Sequence, residues 1–233
     1  MFGHTIQSFD DDLREIGDIL DAMGALAGTM VSGATAALLS ADTALARRVI
    51  SDDAVMDDHQ RGLDARVIAL IALRQPMAED LRTVVGAMRI AGDLERIGDL
   101  AKNIAKRVAA IGANAVPRSL SHSIDAMAQL VLSQLNELAR LYGSGDAPGL
   151  ARLRAGDERV DVRYNAVFRE LLTYMMEDPR KITPCTHLLF CAKNLERIGD
   201  HVTNIAENAY YMLTGEQLPP DRPKQDETAA PAA

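Results

Sequence analysis

The sequence predicts an all-α protein built as a tandem repeat of two antiparallel three-helix bundles. Composition is the first observation behind this. The chain has no Trp, four Phe and five Tyr, set against an abundance of Ala, Leu, Met, Glu, Asp and Arg, which favours helices over strands. Periodicity is the second. Apolar residues recur at helical spacing, as in Leu63, Val67, Leu70 and Ile71 or Leu94, Ile97, Ala101 and Ile104, and no stretch sustains strand alternation. The third is an internal repeat. Asp93 to Ala105 reads DLERIGDLAKNIA and Asn194 to Ala206 reads NLERIGDHVTNIA, identical at nine of thirteen positions and 101 residues apart.

Turn-forming residues divide the chain into six predicted helices, over 5–38, 43–74, 77–111, 119–142, 149–177 and 183–213. Pro76 separates the second from the third. Gly112 to Pro117 ends the third, with Ser119 as the next N-cap. The Gly143–Gly149 cluster separates the fourth from the fifth. Asp178-Pro179 ends the fifth, and Thr183 and Pro184 suit the N-cap and first position of the sixth. Each repeated motif falls on the third helix of its half, so the units run over 1–112 and 117–215. The Pro-rich, polar segment 216–233 is expected to be a disordered tail.

A net charge of −8 argues against a nucleic-acid partner. A hydrophobic fraction of 48% supplies core material for most of the chain. Cys185 and Cys191, six apart in an apolar stretch, read as buried free thiols in a reducing compartment. The N-terminus has neither the basic start nor the apolar run of a leader peptide. Ala22 to Ala41 is twenty residues without a charge, long enough to span a bilayer. Its Ala, Gly, Ser and Thr content reads instead as a buried helix with close neighbours. The expected location is cytoplasmic.

The chemistry is concentrated in carboxylates. Glu95 and Asp99 are four apart on the third helix, as are Glu196 and Asp200 on the sixth; Asp53 and Asp57, and Asp157 and Asp161, repeat this spacing on the preceding helices. Residues at i and i+4 share a helix face. If the helices turn back at Pro76, Asp57 lies level with Glu95 and Asp53 with Asp99. A turn at Asp178-Pro179 does the same for Asp161 with Glu196 and Asp157 with Asp200. Like charges at that spacing each destabilise a helix by about 0.2–0.5 kcal/mol, and four clustered carboxylates oppose folding at neutral pH. A bound cation removes both penalties. All eight acids are therefore candidate metal ligands, with Asn103 and Asn204 as neighbours, and oxygen donors suit Mg, Ca, Mn or Fe ahead of Zn.

His201 follows Asp200, but its counterpart is Leu100, which suits a rim residue better than a ligand. The absence of Glu-x-x-His counts against a ferritin-like di-iron centre. No P-loop, nucleophile elbow or zincin motif occurs, and no catalytic residue is assigned. Gly98 and Gly199 stand inside helices, where Gly costs about 1 kcal/mol relative to Ala; close helix approach beside the acids explains them.

The doubled LERIGD…NIA segment resembles the PhoU family. The resemblance extends through HTIQSFDDDL, SDDAVMDD, LRQPMAEDLR and FRELLTYMMEDPRKI to NLERIGDHVTNIAENAYYMLTGE. It implies a cytoplasmic, often dimeric helical protein, of a family some of whose members bind multinuclear iron or zinc clusters through E(D)-x-x-x-D motifs. It also implies a negative regulator of the phosphate-starvation response. Such a protein acts as an adaptor between the ATPase subunit of the phosphate ABC transporter and the phosphate-sensing histidine kinase, and meets the membrane only through these partners. The alternative from the acids alone is a carboxylate-bridged metal-binding protein or metalloenzyme of the helical-bundle type. Asp93 against Asn194 is the main departure inside the motif, and leaves the two sites unequal in charge.

Overall fold

The computed structural model describes residues 2–112, 118–156 and 158–219. Among them the elements are α1 Phe2–Ser40, α2 Thr43–Arg74, α3 Glu79–Ile111, α4 Arg118–Ser144, α5 Ala147–Ala155, α6 Glu158–Glu177 and α7 Ile182–Thr214, with one 3₁₀ turn, Pro179–Lys181, and no strand. Helices α1 to α3 form one antiparallel bundle, and α4, α5–α6 and α7 the other, as the repeat predicts. The expected disorder of the tail falls largely on 220–233, outside the described residues.

Local chemistry sets the boundaries. Asp42 caps α2, its carboxylate accepting from the Ala44 and Leu45 N–H groups at 2.9 Å. The turn at Pro76 is tight: Gln75 and Ala78, both non-glycine, have φ of 49°, a conformation that L residues adopt only under constraint. Two boundaries differ from expectation. The helix read over 149–177 is two, because α5 ends at Gly156, whose N–H bonds back only to Leu153 O in a tightened last turn. Helix α7 begins at Ile182 rather than after a Thr183 cap. Asp178 instead caps the 3₁₀ turn through the Arg180 N–H, and that turn runs directly into the helix. Pro184 is harmless there, since the first helical N–H groups have no intrahelical partner.

Burial separates outer from inner helices. On α2 the buried residues Val49, Met56, Leu63 and Leu70 recur every seven positions, a narrow seam against α3 and α1. Helices α3 and α7 are buried over much broader faces because they pack on their own bundle and on each other. They run antiparallel in constant register: Arg82 Nε donates to Met212 O at 3.2 Å, Asp93 meets His201 at 2.9 Å, and Arg107 meets His187 at 3.1 Å. In this register Ile97 and its repeat equivalent Ile198, both fully buried, stand at the same level. The pseudo-twofold axis relating the halves therefore passes through the repeated motif itself.

The uncharged stretch of α1 divides by face. Met23, Ala27, Met30, Val31, Ala34, Ala37 and Leu38 are buried in the core. Segment Phe9–Ser40 is long and apolar enough to cross a membrane, but that core packing accounts for its composition. Its other face, expected to have close neighbours along its length, is partly open toward α4. Ala25, Thr29, Ser32 and Ala36 are exposed and line a groove of about 1000 Å³ between α1 and α4. Leu132, Asn136 and Tyr142 form its far wall, and Ile90, Leu94 and Ile205 are among the apolar residues lining it; among the described residues the one charged lining residue is Asp21.

Candidate functional site

The first hairpin brings two of its predicted carboxylates onto one cation. In the first half, Asp53 and Asp99, on facing helices, both accept from the ammonium of Lys102, each at 2.6 Å. Glu95 lies beside them, its carboxyl raised above the usual range by burial and by the charges of Asp99, Asp57 and Asp53, with Arg96 opposing. Arg96 reaches both Glu95 and Asp99, at 3.5 and 3.3 Å. Burial opposes the Lys102 charge, but the hydrogen bonds to Asp53 and Asp99 outweigh it and hold the ammonium well above the ordinary lysine value.

The second half is arranged differently. Asp161 and Glu196 are each only 5% exposed. Asp157 lies outside the described residues. Lys193 bonds Glu196 Oε1 at 3.0 Å. Glu196 Oε2 is buried and has no hydrogen-bond partner among the described residues, a condition costly for any carboxylate oxygen. Burial raises this carboxyl above its usual range; Lys193 offsets part of the shift, while Asp200 and Asp161 add to it. Among the described residues no three His, Cys, Asp or Glu groups converge on one point suited to a metal ion. The orphaned Glu196 oxygen is nonetheless what an oxygen-only cation site would use, so the second-half residues suit such a group.

A pH prediction follows from Glu196. The native state binds its proton more tightly than the unfolded chain does, so stability falls as pH rises from 4.5 through the raised value. In chelator-treated protein, Glu196→Gln should flatten this part of the profile and raise the melting temperature at neutral pH. Parallel melting curves against pH for the two proteins would contradict the account.

Three side chains, His201, Lys102 and Lys193, had no partner assigned from sequence, and the thirteen-residue repeat held a signal for the first two. Asp93 against Asn194 and His201 against Leu100 are departures from the repeat that meet each other: His201 Nδ1 donates to Asp93 Oδ1 at 2.9 Å across the seam. His201 is thus a cross-half tether. Lys102 against Thr203 is a third departure, and it puts an ammonium between the two helices of the first cluster. Lys193, the third missed residue, stands where the first half has Gly92. Gly98 does mark a close approach, since an added Cβ would lie 3.3 Å from Met56 Cγ and 3.5 Å from Met30 Sδ. Beside the seam, Asp93, Glu95, Arg89, Arg96, Asn204 and Asn208 line a polar cavity of about 420 Å³.

Two three-helix bundles related by a pseudo-twofold axis, with carboxylate pairs at the centre of each third helix, define a duplicated helical protein of the PhoU-domain class. The PhoU domain model matches twice, over residues 20–108 and 124–209, and the chain belongs to the PhoU family. It is 52% identical over 226 residues to the phosphate-specific transport system accessory protein PhoU homolog of Rhizobium meliloti, covering 97% of this chain and 95% of that one. The protein of the same name from Caulobacter vibrioides is 48% identical, with 97% and 98% covered. The crystal structure of PhoU from Pseudomonas aeruginosa superimposes with a TM-score of 0.85 at 34% identity, covering 89% of this chain and all of that one. These names are those of accessory proteins and lend the metalloenzyme alternative no support.

Proposed function

We propose that this protein is an accessory regulator of phosphate-specific uptake and a negative regulator of the phosphate-starvation response. It acts in the cytoplasm, as a homodimer, as an adaptor between the ATPase subunit of the phosphate ABC transporter and the phosphate-sensing histidine kinase, with no catalytic turnover of its own. The observation that carries this reading is similarity over nearly the full length to accessory proteins of phosphate transport. The α1–α4 groove supports it. On a chain of net charge −8, a large groove lined, among the described residues, by a single charged one suits a protein partner better than open solvent.

Deleting the gene is expected to switch on phosphate-starvation genes in phosphate-rich medium, to the level of starved wild-type cells. A starvation reporter that stays repressed in the deletion strain would count decisively against the reading.

The carboxylate clusters add a metal component. Asp161, Glu196 and Asp200, with Asp157, are proposed to hold a divalent or trivalent ion such as Mn, Fe, Mg or Zn, singly or in a cluster. The unpartnered Glu196 oxygen is the observation in favour. When bound, such an ion supplies positive charge that ties α6 to α7. The carboxylates' own part is to fix the spacing of that helix pair.

A further inference from the structure

We propose that Lys102 stands in for a metal ion in the first half, so that cation binding by this chain is confined to the second half; the second clause rests on the metal reading above. A metal in the first cluster would sit between Asp53 of α2 and Asp99 of α3 and tie the two helices together. The Lys102 ammonium already occupies that place, 2.6 Å from an oxygen of each carboxylate. The contact is sheltered: the side chains of Lys102, Asp53 and Asp99 are 18%, 13% and 30% exposed. An ammonium has three donors and no acceptor, so it can satisfy an oxygen of both carboxylates, offers a metal no lone pair, and repels a second cation at that place. Arg96 adds positive charge on the remaining side, against Glu95 and Asp99.

The second half cannot use this arrangement. Thr203, the repeat equivalent of Lys102, is neutral and buried, and its hydroxyl donates to Gly199 O at 3.1 Å. Its lysine, Lys193, approaches from the N-terminal side of Glu196 and bonds Oε1, while Oε2 stays buried without a hydrogen-bond partner among the described residues. Each carboxylate cluster thus has one lysine beside it, at a different position in the repeat. The first lysine joins carboxylates of two helices as a metal would, whereas Lys193 bonds Glu196 of its own helix, three residues on, and lies over the Tyr164 ring of α6.

The test uses the full-length chain, stripped with chelator and titrated with Mn²⁺, comparing wild type with K102T, which installs the residue of the second repeat, and with K102R. Without metal, K102T is expected to melt about 5 °C below wild type, the loss expected when partly buried carboxylates lose their cation. Added Mn²⁺ should reverse that loss, with about one further Mn²⁺ bound per chain, as suits an oxygen-only donor set. K102R should resemble wild type in both respects. If K102T folds only with Mn²⁺ present, the inference stands; if Mn²⁺ does not rescue it, the inference fails. K102T that melts like wild type, or melts low without taking up extra Mn²⁺, also overturns it. So does wild-type Mn²⁺ binding that is abolished by E95Q/D99N. Wild type that binds no Mn²⁺, beside a K102T that does, would sink the second-half metal reading and leave the role of Lys102 intact.

Discussion

Replacing Ile97 or Ile198 by alanine is expected to lower stability by about 2–5 kcal/mol in each case. For a chain of this size every kcal/mol shifts the melting temperature by about 2–4 °C. Both side chains are fully buried and stand at the same level where α3 and α7 cross. The cavity has little room to collapse, because each helix is also held by its own bundle. Against a total stability of about 5–15 kcal/mol, the double variant should be close to unfolded at growth temperature. Urea denaturation gives the measure: the midpoint should fall while its slope stays constant. Ile68→Ala is the control, because Ile68 is 63% exposed and its loss should stay within about 0.5 kcal/mol. If Ile97→Ala behaved like that surface change, the axis would not run where the register places it.

The second large effect is expected at Gly86. A Cβ there would lie 2.2 Å from Met212 Cγ and 2.4 Å from its Sδ. Met212 has little freedom to retreat, being 7% exposed and tied by its carbonyl to Arg82. Gly86→Val should therefore cost about 1–3 kcal/mol through overpacking, despite valine's better helix propensity. The diagnostic is the double variant. Met212→Ala alone should be destabilising, but combined with Gly86→Val it should cost clearly less than the two losses added, because the new side chain fills the space vacated. Strictly additive losses would mean that α3 and α7 do not approach closely at this point.

Much of this site was legible beforehand because its geometry is local. The spacing of Glu95 and Asp99 fixes a shared face on any helix, and a turn at Pro76 fixes which residues of α2 stand level with them. Asp53 and Asp99 do reach one ammonium across the hairpin. Lys102 was overlooked because a lysine three residues after an aspartate is an ordinary surface pattern. Only the packing of α2 against α3 turns it inward. The Asp93–His201 pair was hidden for a stronger reason, since it spans 108 residues and depends on how the two halves meet. The split between α5 and α6 is a lesser miss, set by an early tightened turn at Gly156 that helical periodicity on either side concealed.

The sequence alone determined the helical class, the duplication and the spacing of the carboxylate pairs, because helix periodicity, turn residues and internal identity are properties of neighbouring positions along the chain. Tertiary structure decided what those carboxylates face. The antiparallel register of α3 and α7 sets the axis and the His201 tether, the packing of α2 on α3 gives the first cluster its own cation, and the burial of Glu196 leaves an oxygen without a hydrogen-bond partner among the described residues. Each of these depends on charge and burial between segments far apart in sequence, where the strength of an ion pair is set by the surrounding dielectric rather than by spacing along the chain.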